Sequence, residues 1–471
     1  MSELDLVIRG ATIYDGTGGP PRQGEIGIKG DRIAGIGEHL SGARVLDAGG
    51  LAAAPGFIDT HSHSDLRVLE QPTLDAKLRQ GITLELFGQD GISVAPVKEE
   101  QVDNRRRQLA GLLTNPKGFW GWRSVAEYLA EVANAEPALD VAYLVPHGAV
   151  REWVMGLDDR LATDAELRQM QAVLRLCLQE GAYGLSTGLI YPPCCYCDSR
   201  ELVALGEVAA AKRSPIVVHM RSESDRLLEA MDEMFEVGAR SGVHIHLSHF
   251  KIAGKNNWAK LPQVIDRAAA AALRGVKVTA DQYPYVAGST MMGAILPPWV
   301  HAGGPEAALE RLASKEARER IRAELVDPSE VAWDNFWKWS GPEGIIIADI
   351  PSGKRPHLIG LNLKQAADQA LQEPVEHALD LLLEERLGVA MVSFSQSEEV
   401  VEALMKLPYV NACTDALLGG RPHPRAFGTY PRILGRYVRE RQVLPLEVAV
   451  RKLSGLAADA FRFDDHGYLL A

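Results

Sequence analysis

PGFIDTHSHSD, residues 55–65, marks the point where the chain changes texture. Before it, residues 4–54 alternate apolar and polar positions in short runs broken by Gly and Asp, such as LDLVIRGATIYDG and GEIGIKGDRIAGIGE. That pattern predicts a small β-domain over residues 1–54, built of antiparallel strands and tight turns. After it, apolar runs such as VAYLVPHG, GLSTGLIY, PIVVHM, VHIHLSHF and KVTADQYPY alternate with helical stretches such as 164–180 and 199–213. Strand and helix alternating through about 350 residues predict an α/β fold, a parallel sheet closed into a TIM-type (β/α)8 barrel over residues 55–462. The alternation breaks near 289–345, where a charged helix is followed by the Trp-rich VAWDNFWKWSG. This stretch reads either as an insertion or lid, or as a surface helix that buries its tryptophans. Residues 463–471 are left as a short C-terminal remnant.

The bulk numbers set limits on function. At 471 residues the chain can hold a barrel and a smaller appendage. Fifty basic against 62 acidic residues give a net charge of −12 without a basic stripe, so nucleic acid is not an expected partner. No signal-peptide pattern opens the chain and no run of about 18 apolar residues occurs, so no membrane partner is expected and the location reads as cytoplasmic. Five cysteines, an odd count, point to reduced thiols rather than a disulfide framework. Three of them, Cys194, Cys195 and Cys197, sit in CCYC. A second Cys cluster that would complete a tetrahedral metal site is lacking, and a packed loop is the preferred reading.

Several apolar runs end in polar residues where a barrel strand should finish, which is the functional face of such a fold. His61 and His63 follow PGFIDT two residues apart, so a strand would turn both imidazoles to one side. Alone they are equally well two polar strand-end histidines. His219 ends PIVVHM, His249 ends VHIHLSH about thirty residues later with room for a helix between, and Asp415 ends YVNACTD. Four histidines and a carboxylate on four strand ends suit Zn²⁺ with an open position for water. His246, inside its run, reads as a packed or hydrogen-bonded residue. A metal polarises a carbonyl and lowers the pKa of water, and amide cleavage also needs a carboxylate to carry the proton to the leaving nitrogen. Asp415 is the candidate for that role.

The segments PGFIDTHSHSD (55–65), QGITLELFGQDGISVAP (80–96), GAYGLSTGLIYPP (181–193), VVHMRSES (217–224), LSHFKIAGKNNWAK (247–260), TADQYPY (279–285) and HPRAFGTYPRILGRYVRE (423–440) form an ordered series. In them the chain resembles the N-acyl-D-amino-acid deacylase (D-aminoacylase) branch of the amidohydrolase superfamily, from about residue 4 to about residue 467. The resemblance implies hydrolysis of N-acyl-D-amino acids to a carboxylic acid and a free D-amino acid. It implies one tightly bound Zn²⁺ with room for a second: His61, His63 and Asp415 at one position, His219 and His249 at the other. It also implies that Arg425 binds the substrate carboxylate, with Lys251, Tyr191, Tyr283 and Ser289 holding that group or the reacting carbonyl. His147 matches a strand end that carries no ligand in the family.

Two departures stand out. Asp90, in GQDG, replaces the family's Cys in the second-strand motif, and it reads as a metal ligand or as a turn residue. The chain stops at HGYLLA, without the closing strands usual for the small β-domain. Two other functions remain open on the sequence: a cyclic-amide hydrolase of the hydantoinase or dihydroorotase kind, and a catalytically silent barrel used for binding. The partner expected for the enzyme is a small N-acyl amino acid, and a homo-oligomer stays open.

Overall fold

The computed structural model describes residues 4–113, 120–327 and 332–471. Residues 1–3 of the expected β-domain, and residues 328–331 within the expected insertion, lie outside the described residues.

The N-terminal sheet contains β1 (Leu4–Ile13), β2 (Arg22–Lys29), β3 (Arg32–Gly37), β4 (Gly42–Asp47) and β5 (Ala52–Ala53). The hairpin pairs β1–β2 and β2–β3 are antiparallel, but β4 and β5 both join β1 in parallel. The expectation of a purely antiparallel sheet is therefore corrected. Chain returning past β2 to the far side of β1 runs in the same direction as β1, a reversal that alternation of apolar residues cannot reveal. Ala11, Ile13, Ile26 and Ala48 form its small core, against which Leu469 packs.

Eight parallel strands follow: β6 (Phe57–Asp59), β7 (Ile82–Phe87), β8 (Asp140–Pro146), β9 (Gly184–Gly188), β10 (Ile216–His219), β11 (Ile245–Leu247), β12 (Val278–Gln282) and, after an excursion, β16 (Val410–Ala412). Successive barrel strands are neighbours in the sheet, the order of a singly wound parallel barrel. The first and last strands meet at a parallel bridge between Ser62 and Ala416. There the Asp415 amide donates to the His61 carbonyl at 2.8 Å and the His63 amide to the Ala416 carbonyl at 3.2 Å. The barrel is thus closed by the residues that carry the site.

The excursion between β12 and β16 holds an antiparallel sheet of β13 (Ala287–Met291), β14 (Ile345–Asp349) and β15 (Ala390–Phe394), in the order β13-β15-β14. It has its own apolar cluster, in which Met292, Ile295, Val300, Leu312, Ile347 and Leu379 take part. It runs well beyond residue 345. The helix Pro374–Glu384 followed by the strand AMVSF has the same pattern as a barrel unit, so the sequence does not betray where the barrel resumes.

Candidate metal centre and substrate cleft

Strand ends set the site. His61 and His63 follow β6, Asp90 lies in the turn Gln89–Gly91 after β7, His219 closes β10, His249 follows β11, and Asp415 follows β16. All six are buried. The Asp90 carboxylate lies between two pairs of imidazoles. Its Oδ2 is 3.6 Å from His61 Nε2 and 3.5 Å from His63 Nε2; its Oδ1 is 3.5 Å from His249 Nε2 and 4.0 Å from His219 Nδ1. Asp415 Oδ1 stands 3.6 Å from His61 Nε2 and 3.3 Å from His63 Nε2. His219 Nδ1 and His249 Nε2 approach to 2.9 Å.

Two features single this cluster out. Asp90 (φ 57°), His249 (φ 36°) and Asp415 (φ 48°) all adopt left-handed backbone, a conformation costly for residues other than Gly and concentrated at functional sites. In addition, both ring nitrogens of His61, Nδ1 of His63, Nε2 of His219 and Oδ1 of Asp90 are buried without a hydrogen-bond partner. Buried polar atoms left unpaired cost free energy that a shared cation would recover. Three sets have ligand atoms within 4.8 Å of one another: His61–His63–Asp90, Asp90–His219–His249 and His61–His249–Asp415. The residues fit a metal ion. Asp90 lies in a turn and its carboxylate faces both pairs of histidines, so its two sequence readings, turn residue and metal ligand, are compatible.

Electrostatics follow the mixed charge of the cluster: burial lowers His63 and His249, but the neighbouring carboxylates outweigh it and raise His63 to about 9 and His249 to about 10, so an ion bound there would have to displace their protons. Burial pushes the Asp90 carboxyl up, but the imidazoles around it outweigh this and hold it well below the usual carboxylate range. Burial lowers His219 to about 4, which keeps its ring neutral, the form that binds metal.

The cationic residues are already engaged. Arg425 is fully buried; its Nη1 donates to Asp415 Oδ2 at 2.6 Å and its Nη2 to the Ser289 carbonyl at 2.8 Å. Its guanidinium lies 4.6 Å from the centre of the Tyr283 ring. Burial raises Asp415, yet Arg425 and His61 more than offset that and keep it ionised. Lys251 Nζ bonds both oxygens of Glu223, at 2.7 and 2.8 Å, and sits 2.7 Å from His249 Nδ1. Tyr283, Ser289 and Tyr191 all line the same cleft. The Ser289 hydroxyl donates to the Met391 carbonyl at 2.8 Å, the Tyr283 hydroxyl accepts from Gln396 at 3.2 Å, and the Tyr191 hydroxyl pairs with Thr290 at 2.9 Å.

Sequence reasoning missed Glu223. It lies 3.5 Å from His219 Nε2 and 3.1 Å from His249 Nδ1, and its place in VVHMRSES, four residues after a candidate ligand, was the available signal. It also missed Asp281, whose Oδ1 accepts the His249 amide while Oδ2 accepts from Thr60 and faces His246 Nε2. His246 is thereby a hydrogen-bonded residue outside the cluster. His147 bonds Thr187 and Glu201 through its two nitrogens. Cys197 lies near enough to His147 and Glu201 to suggest an ion, but Glu201 is already paired with Arg151, and the cysteines pack as free thiols.

A closed parallel barrel with imidazoles and carboxylates converging at one mouth is the frame of a metal-assisted hydrolase. Comparison with known proteins narrows the class. The profile of the amidohydrolase family matches residues 44–326. The chain is 35% identical to an N-acyl-D-glutamate deacylase of Alcaligenes xylosoxydans xylosoxydans, over 100% of this chain and 86% of the relative. It superposes on the crystal structure of the N-acyl-D-glutamate deacylase of Bordetella bronchiseptica, complexed with zinc and a phosphonate mimic of the tetrahedral intermediate, with a TM-score of 0.83, 32% identity and coverage of 100% and 88%. A D-aminoacylase structure described by its binuclear metal centre gives a TM-score of 0.79 at 29% identity, covering 99% of this chain and 87% of that one. The chain belongs to the amidohydrolase family, in the branch of the N-acyl-D-amino-acid deacylases.

Proposed function

We propose that the protein hydrolyses the amide bond of N-acyl-D-amino acids with zinc as its metal. The observation that carries this reading is the Asp90 carboxylate lying between the His61–His63 and His219–His249 pairs, beside a cleft lined by Lys251 and by Asp415, which Arg425 holds from behind. Asp90, His219 and His249 would hold one ion, and His61 and His63 share Asp90 for a second. Bound there, zinc supplies Lewis-acid polarisation of the scissile carbonyl and water of lowered pKa.

The remaining work belongs to the chain. Asp415 turns one oxygen to the histidine cluster and the other to Arg425, so it can collect a proton at the reacting centre and return it to the leaving nitrogen. Arg425 offers the planar guanidinium that suits a substrate carboxylate, and Lys251 brings a second positive charge to the same cleft. Tyr283 lies beneath Arg425 and within 5.9 Å of Lys251, fixing the walls between which the carboxylate enters. Burial of the whole cluster excludes water and strengthens each of these interactions.

Among the described residues no helix is long and apolar enough to cross a membrane. Together with the five free thiols this supports a cytoplasmic enzyme acting on a small molecule. The test is a panel of N-acetyl-D-amino acids, their L-enantiomers and hydantoin, assayed with the zinc-loaded protein. Release of free amino acid from the D-series is expected; hydrolysis confined to hydantoin would overturn the reading in favour of a cyclic amide.

A further inference from the structure

The charges around the cleft are spoken for. Three carboxylates, Asp90, Glu223 and Asp415, line it together with one cation, Lys251, which is paired with Glu223; Arg425 is buried behind the cleft wall and paired with Asp415. Among the described residues no second Lys or Arg lines the cleft. A different wall faces it from the insertion: Phe336 and Trp339, on the short helix Phe336–Ser340, with ring centroids 4.5 Å apart.

That aromatic wall is anchored. Asp334, two residues before Phe336, accepts the Ser222 and Ser224 hydroxyls at 2.6 and 2.7 Å and the Glu223 amide at 2.7 Å. Asn335 caps the helix by accepting the Lys338 amide at 3.0 Å. The Trp339 ring lies beside Gly254, at a distance where a Cβ would make an ordinary van der Waals contact of 3.5 Å. The rings are therefore held on the loop that also carries Glu223. Tyr191 lines both this cleft and an adjoining cavity walled by Leu157, Ile190, Met291, Ala294 and Leu296.

We propose that the substrate's D-amino-acid side chain is uncharged and apolar, and that Phe336 and Trp339 are the residues that read it. The inference rests on the deacylase reading above and selects within it: N-acyl-D-amino acids with aliphatic or aromatic side chains, in contrast to the N-acyl-D-glutamate named for the relative at 35% identity. The α-carboxylate occupies the cationic end of the cleft. A second carboxylate on the side chain would be desolvated beside aromatic rings and near three fixed carboxylates with no cation left to pair it, which is strongly unfavourable. An apolar side chain there gains burial, and an aromatic one gains ring contact.

The test compares kcat/KM of the zinc-loaded protein for N-acetyl derivatives of D-leucine, D-phenylalanine, D-alanine, D-glutamate and D-aspartate. Leucine and phenylalanine substrates are expected to exceed the acidic pair by about 100-fold or more, the scale of an unpaired buried charge. Equal or better turnover of the acidic substrates would overturn the proposal and leave the deacylase reading standing; cleavage of none of the five would overturn both. Trp339→Ala should lower kcat/KM for the phenylalanine substrate about tenfold more than for the alanine substrate. An equal loss on both would remove Trp339 as the reader.

Discussion

At Asp90 a left-handed backbone, φ 57°, aims a carboxylate at both pairs of histidines. A carboxylate is a harder ligand than the thiolate usual at this place in the family, so it can bridge but donates less charge to zinc. Asp90→Ala should therefore drop the metal content of the purified protein to a small fraction of wild type and lower turnover by about 100-fold or more. Asp90→Cys should restore the metal with altered turnover; a fully metallated Asp90→Ala protein would leave only the turn role. Arg425 has two duties in this reading, since in the structure it binds Asp415 and the Ser289 carbonyl at the cleft wall and it is also the proposed partner of the substrate carboxylate. Arg425→Ala is expected to lower kcat as well as raise KM, costing kcat/KM about 2–5 kcal/mol for a broken buried charge pair. Arg425→Lys should rescue little, because a point charge cannot reach Asp415 and the Ser289 carbonyl together. A change confined to KM would show that Arg425 does not support Asp415. The imidazoles were legible because strand periodicity and strand ends announce them. Glu223 and the Arg425–Asp415 pair were not, because each depends on how a loop folds back onto a strand end.

Among the elements, the insertion supplies the Phe336 and Trp339 wall of the cleft. Its helix Phe336–Ser340 is far too short to be stable alone and depends on Asp334 and Asn335 for its position. Burial raises the Asp334 carboxyl to about 6, even though it accepts from Ser222, Ser224 and the Glu223 amide. Asp334→Ala would leave those donors unpaired and free the aromatic wall. The expected result is a rise in KM of about tenfold for an apolar N-acetyl-D-amino acid with a smaller change in kcat, a loss of roughly one hydrogen-bonded anchor. Unchanged KM would mean the helix is held by its apolar contacts alone. At this scale the alternating strands and helices were readable from hydrophobic runs. The extent of the insertion was not, since AMVSF at Ala390–Phe394 looks locally like a barrel strand and differs only in pairing antiparallel with β13 and β14.

The whole molecule depends on a seam between its first and eighth barrel strands, and one buried lysine crosses it. Lys77 comes from the short helix Asp75–Leu78 and is fully buried. Its Nζ donates to Asp59 Oδ2 at 2.8 Å, Ser62 Oγ at 2.9 Å, Thr414 Oγ1 at 3.0 Å and also to Glu85. Asp59 in turn accepts the Thr414 amide at 2.8 Å and its hydroxyl at 2.5 Å. These bonds join β6, β7 and the end of β16 directly beneath His61, His63 and Asp415, residues separated by most of the chain. No sequence pattern exposes this lysine, because burial of a charge is a property of the closed barrel. Burial pushes the Glu85 carboxyl up, and Lys77 opposes that; without the lysine, Glu85 and Asp59 would share a dry space with no counter-charge. Lys77→Met is expected to destabilise the barrel by about 3–5 kcal/mol, the cost of breaking a buried pair from one side. Thermal unfolding should begin at a lower temperature, and zinc should be lost more readily because the ligands ride on the same strands. Pairing the change with Glu85→Gln should recover part of the loss, since one of the two stranded carboxyls is then neutral. If Lys77→Met melts with wild-type stability and keeps its zinc, the seam is held by strand pairing and apolar packing, and the buried lysine is incidental to closure.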